Sequence, residues 1–211
     1  GASGAFSPSN APNAKQMEVL VKTRELREKE EDVIINGNAT TSGSTHGVTG
    51  ANGTEFDGIV TLQSSNNIVD KSGAALSLDD IQTAIQYAFT DGGRPNLGVC
   101  DAATYTDLLK LLTAKIGYMQ PTKEVFWGFS TIVLNTMVGE IPVIPSMFMT
   151  TTGGAKTILF LDLSVWEMRV LQDVTYETMA KTNDSEKFML KVYEALICKN
   201  VAFNCGVDNI A

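Results

Sequence analysis

The chain has 211 residues, 44% hydrophobic and 19% charged, enough to bury a sizeable core as one elongated domain or two small ones. Sixteen Lys plus Arg against 24 Asp plus Glu leave a formal net charge of −8, the wrong sign for a protein that holds nucleic acid by neutralising phosphates. No apolar run approaches the roughly 18 residues a membrane span needs, and Cys100, Cys198 and Cys205 lack the spacing of a disulfide framework or zinc site, which suits reduced thiols in a cytoplasm.

Residues 1–13 (GASGAFSPSNAPN) are small, polar and proline-bearing, the marks of a flexible or extended arm. The sequence starts at Gly1 with no signal segment, so a processed protein, a fragment or a tagged chain is expected. Residues 14–35 hold good helix formers with no Gly or Pro, and Asn13 can cap them, so one long helix is expected. Val19, Leu26 and Val33 recur every seven residues, yet residues 22–32 are otherwise almost wholly charged or polar. So thin a stripe buries poorly. It fits a solvated surface helix or a strut lying across a neighbouring subunit.

Residues 36–58 contain six glycines among Thr, Ser and Asn, and read as a long loop or a pair of weak strands. Residues 59–62 and 67–70 look like short extended pieces. Ser77 with Asp80 three residues on resembles a capping box, and Leu78, Ile81, Ile85, Ala88 and Phe89 form one helical face up to the DGGRP break. A second helix follows Asp101, with Tyr105, Leu108, Leu109, Leu112 and Ile116 at helical spacing and Gly117 as its stop. Residues 118–131 (YMQPTKEVFWGFST) read as an aromatic loop whose rings belong to a core.

Residues 138–172 carry two apolar runs, 141–149 and 158–163, separated by the turn-forming TTTGGA, and read as two strands joined at a loop. Pro142 and Pro145 cannot donate to a ladder, which puts IPVIP at a strand's start or a sheet edge. Trp166, Met168 and Val170 alternate with Glu167, Arg169 and Leu171, fitting a strand that buries one face. Residues 174–180 and 188–203 read as strands flanking KTNDSEK, the second long enough to be two strands. Two amphipathic helices beside these strands make a compact α+β domain.

No cofactor, metal or catalytic constellation is visible. His46 is the only histidine and sits in the glycine-rich loop, with no nucleophile motif beside it. GVTGANG is neither a dinucleotide fingerprint nor a phosphate loop. Glu30, Glu31 and Asp32 share one helix, where a metal site would draw carboxylates from several elements. Asn38, Asn52 and Asn183 match the glycosylation pattern, which would matter only after secretion. Cys198 and Cys205, an odd seven apart, would point to opposite faces of a shared strand and should not bond.

The ordered series EEDVIINGN, LSLDDIQTAIQYAF, CDAATYTDLLKLL, GEIPVIPSMFM, ILFLDLSVWEMRVLQD and AKTNDSEKFMLKVYEALICKNVAFNCGVDNI resembles the major capsid proteins of tailed phages and related viruses, which have the Hong Kong 97-type (HK97-like) shell fold. The resemblance covers residues 15–210. It implies an α+β fold with a spine helix at 14–35. Residues 14–58 and 173–200 would form the peripheral domain, 59–172 and 201–211 the axial domain, and 1–13 an arm or remnant of an extended loop. The implied function is a structural virion protein that self-assembles, without enzymatic activity, into hexamers and pentamers of an icosahedral shell around double-stranded DNA.

The same resemblance implies contact sites. Thr150, Thr151, Thr152, Gly153 and Gly154, or alternatively residues 118–131, would approach the capsomer axis. Thr182, Asn183, Asp184, Ser185 and Glu186 would form a loop near threefold contacts. Lys22, Arg24, Arg27, Glu28 and Glu31 would face neighbouring subunits. Some relatives cross-link Lys and Asn side chains with help from Glu, and Glu194 is the first candidate for such a role.

Implied partners are other copies of the chain together with scaffolding, portal or decoration proteins, with DNA enclosed but not bound by sequence, no membrane, and assembly in the host cytoplasm. Only thirteen residues precede the helix where relatives carry an arm and an extended loop, so this chain is expected to be a monomer or small oligomer. The alternatives are an encapsulin-type nanocompartment shell around protein cargo, a cysteine-dependent hydrolase using Cys100 or Cys198 with His46, and a binding module of a secreted adhesin.

Overall fold

A computed structural model of the chain describes residues 14–40, 55–116, 122–126, 129–149, 156–179 and 187–211, with the side chains of residues 14, 115, 116, 122–126, 129 and 130 left out. The chain forms two compact units, Gly1–Asp57 with Met168–Leu196, and Gly58–Glu167 with Ile197–Ala211.

The second unit is built on a seven-stranded mixed sheet. Its strands are β1 (Ile68–Asp70), β2 (Leu97–Cys100), β3 (Thr122–Phe126), β4 (Phe129–Thr136), β5 (Gly139–Pro145), β6 (Lys156–Leu161) and β9 (Cys205–Ile210), in the spatial order β1-β9-β6-β2-β5-β4-β3. β1 runs parallel to β9 and β2 parallel to β5, while the other neighbours are antiparallel. Ile132 and Leu134, Ile141 and Val143, Ile158 and Phe160, and Cys205 and Val207 are alternate residues of their strands, so each pair shares a face. All eight join one buried cluster with Ile81, Ala84, Ile85 and Ala88 of helix α2 (Leu78–Thr90) and with Leu108 and Leu112 of helix α3 (Ala102–Ile116).

Local chemistry fixes the helix ends. The Ser77 hydroxyl accepts from the Asp80 amide at 3.3 Å, and the Asp80 carboxylate accepts from the Ser77 amide at 2.9 Å, completing the capping box. Asp101 caps α3, accepting from the amides of Ala103 at 2.9 Å and Thr104 at 3.1 Å. α2 ends where Gly92 adopts φ +94°, and the next amide, that of Gly93, donates to Ala88 O at 2.8 Å. A Cβ on Gly93 would lie 2.6 Å from both Cα and O of Phe203, so only glycine lets these backbones approach.

In the first unit, α1 (Ala14–Asn36) is a helix of 23 residues, and β7 (Trp166–Thr178) and β8 (Phe188–Cys198), which begin or end in the second unit, pair as a two-stranded sheet. Val19, Leu26 and Val33 are half-buried, as their heptad spacing requires, and burial deepens only at Asp32 and Ile35.

Several sequence expectations are corrected. β5 lies between β2 and β4, so Pro142 sits inside the sheet, where it pairs with Val133 and not at an edge. The fully buried Ile141 and Val143 on either side outweigh the donor it lacks. Pro145 ends the strand opposite Cys100 of β2, so it too lies neither at a strand's start nor at a sheet edge. Residues 59–62 form turns, with the Leu62 amide bonded to Gly58 O at 3.0 Å, and only Ile68–Asp70 is a strand. The described part of residues 118–131 is a hairpin, in which β3 and β4 pair with Phe126 opposite Phe129.

Phe89 and Leu109 are 46% and 44% exposed, because each lies one residue past the buried stripe of its helix. β7 starts at Trp166 and buries no face. Val170 and Leu171, of opposite parity, are 54% and 89% exposed, because a two-stranded sheet gives them no second layer.

Candidate functional site

The candidate site is a set of contact surfaces, and three elements carry it. The first, Thr150 to Gly154 in the connection between β5 and β6, lies outside the described residues. Its flank is anchored, since Phe148 and Met149 are buried. The second, Thr182 to Glu186 between β7 and β8, also lies outside them, bracketed by the Met179 amide donating to Lys187 O at 2.9 Å.

The third, α1, is described throughout. Lys22 Nζ lies 2.8 Å from Glu25, and Arg27 lies 2.5 Å from Glu30. Arg24, Glu28 and Glu31 are exposed. Beneath the helix, Glu194 of β8 is half-buried. Burial pushes its carboxyl above the ordinary value, the neighbouring carboxylates of Glu30 and Asp173 add to that, and the Arg27 guanidinium opposes it. The structure thus joins Arg27 to Glu194, two residues singled out separately in the sequence, and adds Glu30 and Asp173.

One feature of α1 has no signal in the sequence. An open groove of about 440 Å³ runs beside the helix, lined by apolar residues including Leu26, Phe188 and Leu190 and by charges of both signs, Lys22, Lys29 and Lys187 with Glu18 and Glu25. Tyr176 stacks on Phe188 with ring centroids 5.4 Å apart, and Lys191 pairs with Glu177 at 2.5 Å. Both contacts join β7 to β8.

A second such feature is Asn204, fully buried where β9 begins. Its Oδ1 accepts from the Asp162 amide at 3.0 Å and from Trp166 Nε1 at 2.8 Å, and its Nδ2 faces Val201 O at 3.4 Å. The sequence pattern reads residues 188–203 as strand and gives no signal at Asn204.

Burial works against each thiol as a nucleophile. Cys100 and Cys205 are buried, and burial pushes both up to about 12, with Asp101 adding to the shift at Cys100. Burial also raises Cys198. A thiol held protonated cannot attack. His46 lies outside the described residues, and among those residues no group of three His, Cys, Asp or Glu side chains could hold a metal ion. No described helix is long and apolar enough to cross a membrane.

The family model described as SU10 major capsid protein matches residues 5–211. The chain belongs to that family. It is a structural capsid shell protein and not an enzyme. No curated protein matches it.

Among solved structures, the holo-SrpI encapsulin complex from Synechococcus elongatus PCC 7942 is similar at TM-score 0.75 and 16% identity, over 99% of this chain and 69% of that one. The capsid of Cyanophage A-1(L) matches at TM-score 0.65 and 13% identity, over 99% and 73% of the two chains. The capsid of an empty GTA particle matches at TM-score 0.64 and 12% identity, over 96% and 68%. At these identities the likeness is one of fold, the HK97-like fold shared by phage capsids and encapsulins. The family match, and not the fold, separates a capsid role from an encapsulin-type one.

Proposed function

We propose that this chain forms the hexamers and pentamers of an icosahedral virion shell enclosing double-stranded DNA. The family match across residues 5–211 carries the reading. Two physical observations support it. The net charge of −8 favours a wall that releases packaged DNA over one that clamps it. The first unit leaves α1 and its ribbon half-covered, as a subunit completed by neighbours would.

In this reading the first unit is the peripheral domain and the second the axial domain. Thr150 to Gly154 approach the capsomer axis, Thr182 to Glu186 the threefold contacts, and Lys22, Arg24, Arg27, Glu28 and Glu31 a neighbouring subunit. Scaffolding, portal or decoration proteins are the further partners, and assembly takes place in the host cytoplasm.

Electron microscopy of particles assembled from the full gene product, combined with nuclease digestion of purified particles, tests the proposal. Closed shells with fivefold and sixfold clusters and protected double-stranded DNA are expected. Shells that hold a cargo protein and no DNA would overturn it in favour of a nanocompartment.

A further inference from the structure

The charge on α1 runs against its own dipole. Residues 14–24 hold Lys15, Lys22 and Arg24 against Glu18, whereas residues 25–36 hold Glu25, Glu28, Glu30, Glu31 and Asp32 against Arg27 and Lys29. The positive end of a helix dipole is its N-terminus, which favours acids there and bases at the far end. In α1 the first turn has no acid and the last turn no base. The arrangement therefore weakens the isolated helix.

Its outward strip runs from apolar residues through one base to acids. Met17, Leu20 and Val21 are 49%, 64% and 52% exposed, and Arg24, Glu28 and Glu31 follow at helical spacing, also exposed. Lys22 is paired with Glu25 and Arg27 with Glu30, while Arg24 and Glu28, though four residues apart, have no ion pair among the described residues.

We infer that α1 pairs antiparallel with α1 of a second copy through its outward strip, across a two-fold axis midway between positions 24 and 28, with each Arg24 against the other copy's Glu28. A gradient from basic to acidic along one helix is complementary to its own reverse, and a two-fold contact repeats each ion pair twice. Antiparallel dipoles add to the attraction. The inference deepens the assignment of α1 as a contact between subunits and rests on that reading.

The test uses Arg24→Glu, Glu28→Arg and an equimolar mixture of the two, with dimers measured by sedimentation equilibrium and shells by electron microscopy. Each variant alone should raise the dimer dissociation constant by about tenfold or more, since like charges then oppose each other twice. Mixing should restore the parent value, because the acid introduced at position 24 of one chain then meets the base introduced at position 28 of the other. Thermal midpoints of the variants should match that of the parent at concentrations where the parent too is dissociated.

A mixture that behaves like the variants alone, or variants that associate like the parent, would overturn the pairing and leave the face to another occupant. Rescue on mixing, with no closed particles from the parent gene product, would sink the shell reading and leave the pairing standing.

Discussion

In the second unit Ile85, Leu108 and Phe160 have no exposed surface, while in the first Leu171 and Tyr193 lie 89% and 51% open on their ribbon. Both units contain strands rich in apolar residues. The difference lies in what covers them. Two capped helices lie on the seven-stranded sheet and close a core, but a single helix with a thin stripe cannot close over a two-stranded ribbon. The second unit thus holds the buried core, and in the proposed reading the first offers surface for association.

Mutations should separate the units in that order. Phe160→Ala should cost about 3–5 kcal/mol in urea unfolding, through lost burial and the cavity left behind, whereas Leu171→Ala should stay within about 0.5 kcal/mol. Equal costs would erase the contrast. Asn204→Ala leaves Trp166 Nε1 and the Asp162 amide without their acceptor. That should cost about 2–6 kcal/mol and alter tryptophan fluorescence, counting about 1–3 kcal/mol for each orphaned donor. Ser77→Ala removes a cap and should lower stability by about 1 kcal/mol, read from the same unfolding curves.

A pH dependence sharpens the comparison further. Burial would raise Asp80, yet the Lys71 ammonium 2.8 Å away and Ser77 hold it below its ordinary value, and Lys156 does the same for Asp107. Groups with depressed values stabilise above the unfolded value, and that contribution is lost as pH falls through the folded one. Glu194 behaves oppositely. Its raised value means that folding favours the protonated form, so stability falls as pH rises from the ordinary glutamate range through the raised value.

Glu194→Gln should accordingly match the parent near about pH 4 and exceed it toward neutrality. A urea-midpoint difference that stays constant with pH would contradict the assignment. Asp208, raised by burial and by Asp70, moves in the same sense as Glu194 within the second unit, so the comparison must be made against the parent at each pH.

Local signals are legible in the sequence. Helix formers alone place the long helix within one residue of Ala14–Asn36, and Ser77 with Asp80 announces the start of α2. Long-range pairing is not legible. Nothing near Pro142 says that β2, some forty residues earlier, will lie beside it, and proline preference then points to an edge that does not exist. Alternation from Trp166 onward is real, but alternation cannot say whether a second layer exists to cover one face.

At the candidate site, α1 can be read from composition because its stripe is thin, whereas the groove beside it depends on which strands the chain later brings under it. Asn204 is hidden for the same reason, since its partners lie 38 and 42 residues away.

Amide hydrogen exchange of assembled particles and of dissociated subunits tests the central claim most directly. Protection of α1 and β8 should rise on assembly, while the sheet carrying Ile141, Ile158 and Val207 exchanges at the same slow rate in both states. Unchanged exchange in α1 and β8, with new protection confined to the seven-stranded sheet, would contradict the division of labour between the two units.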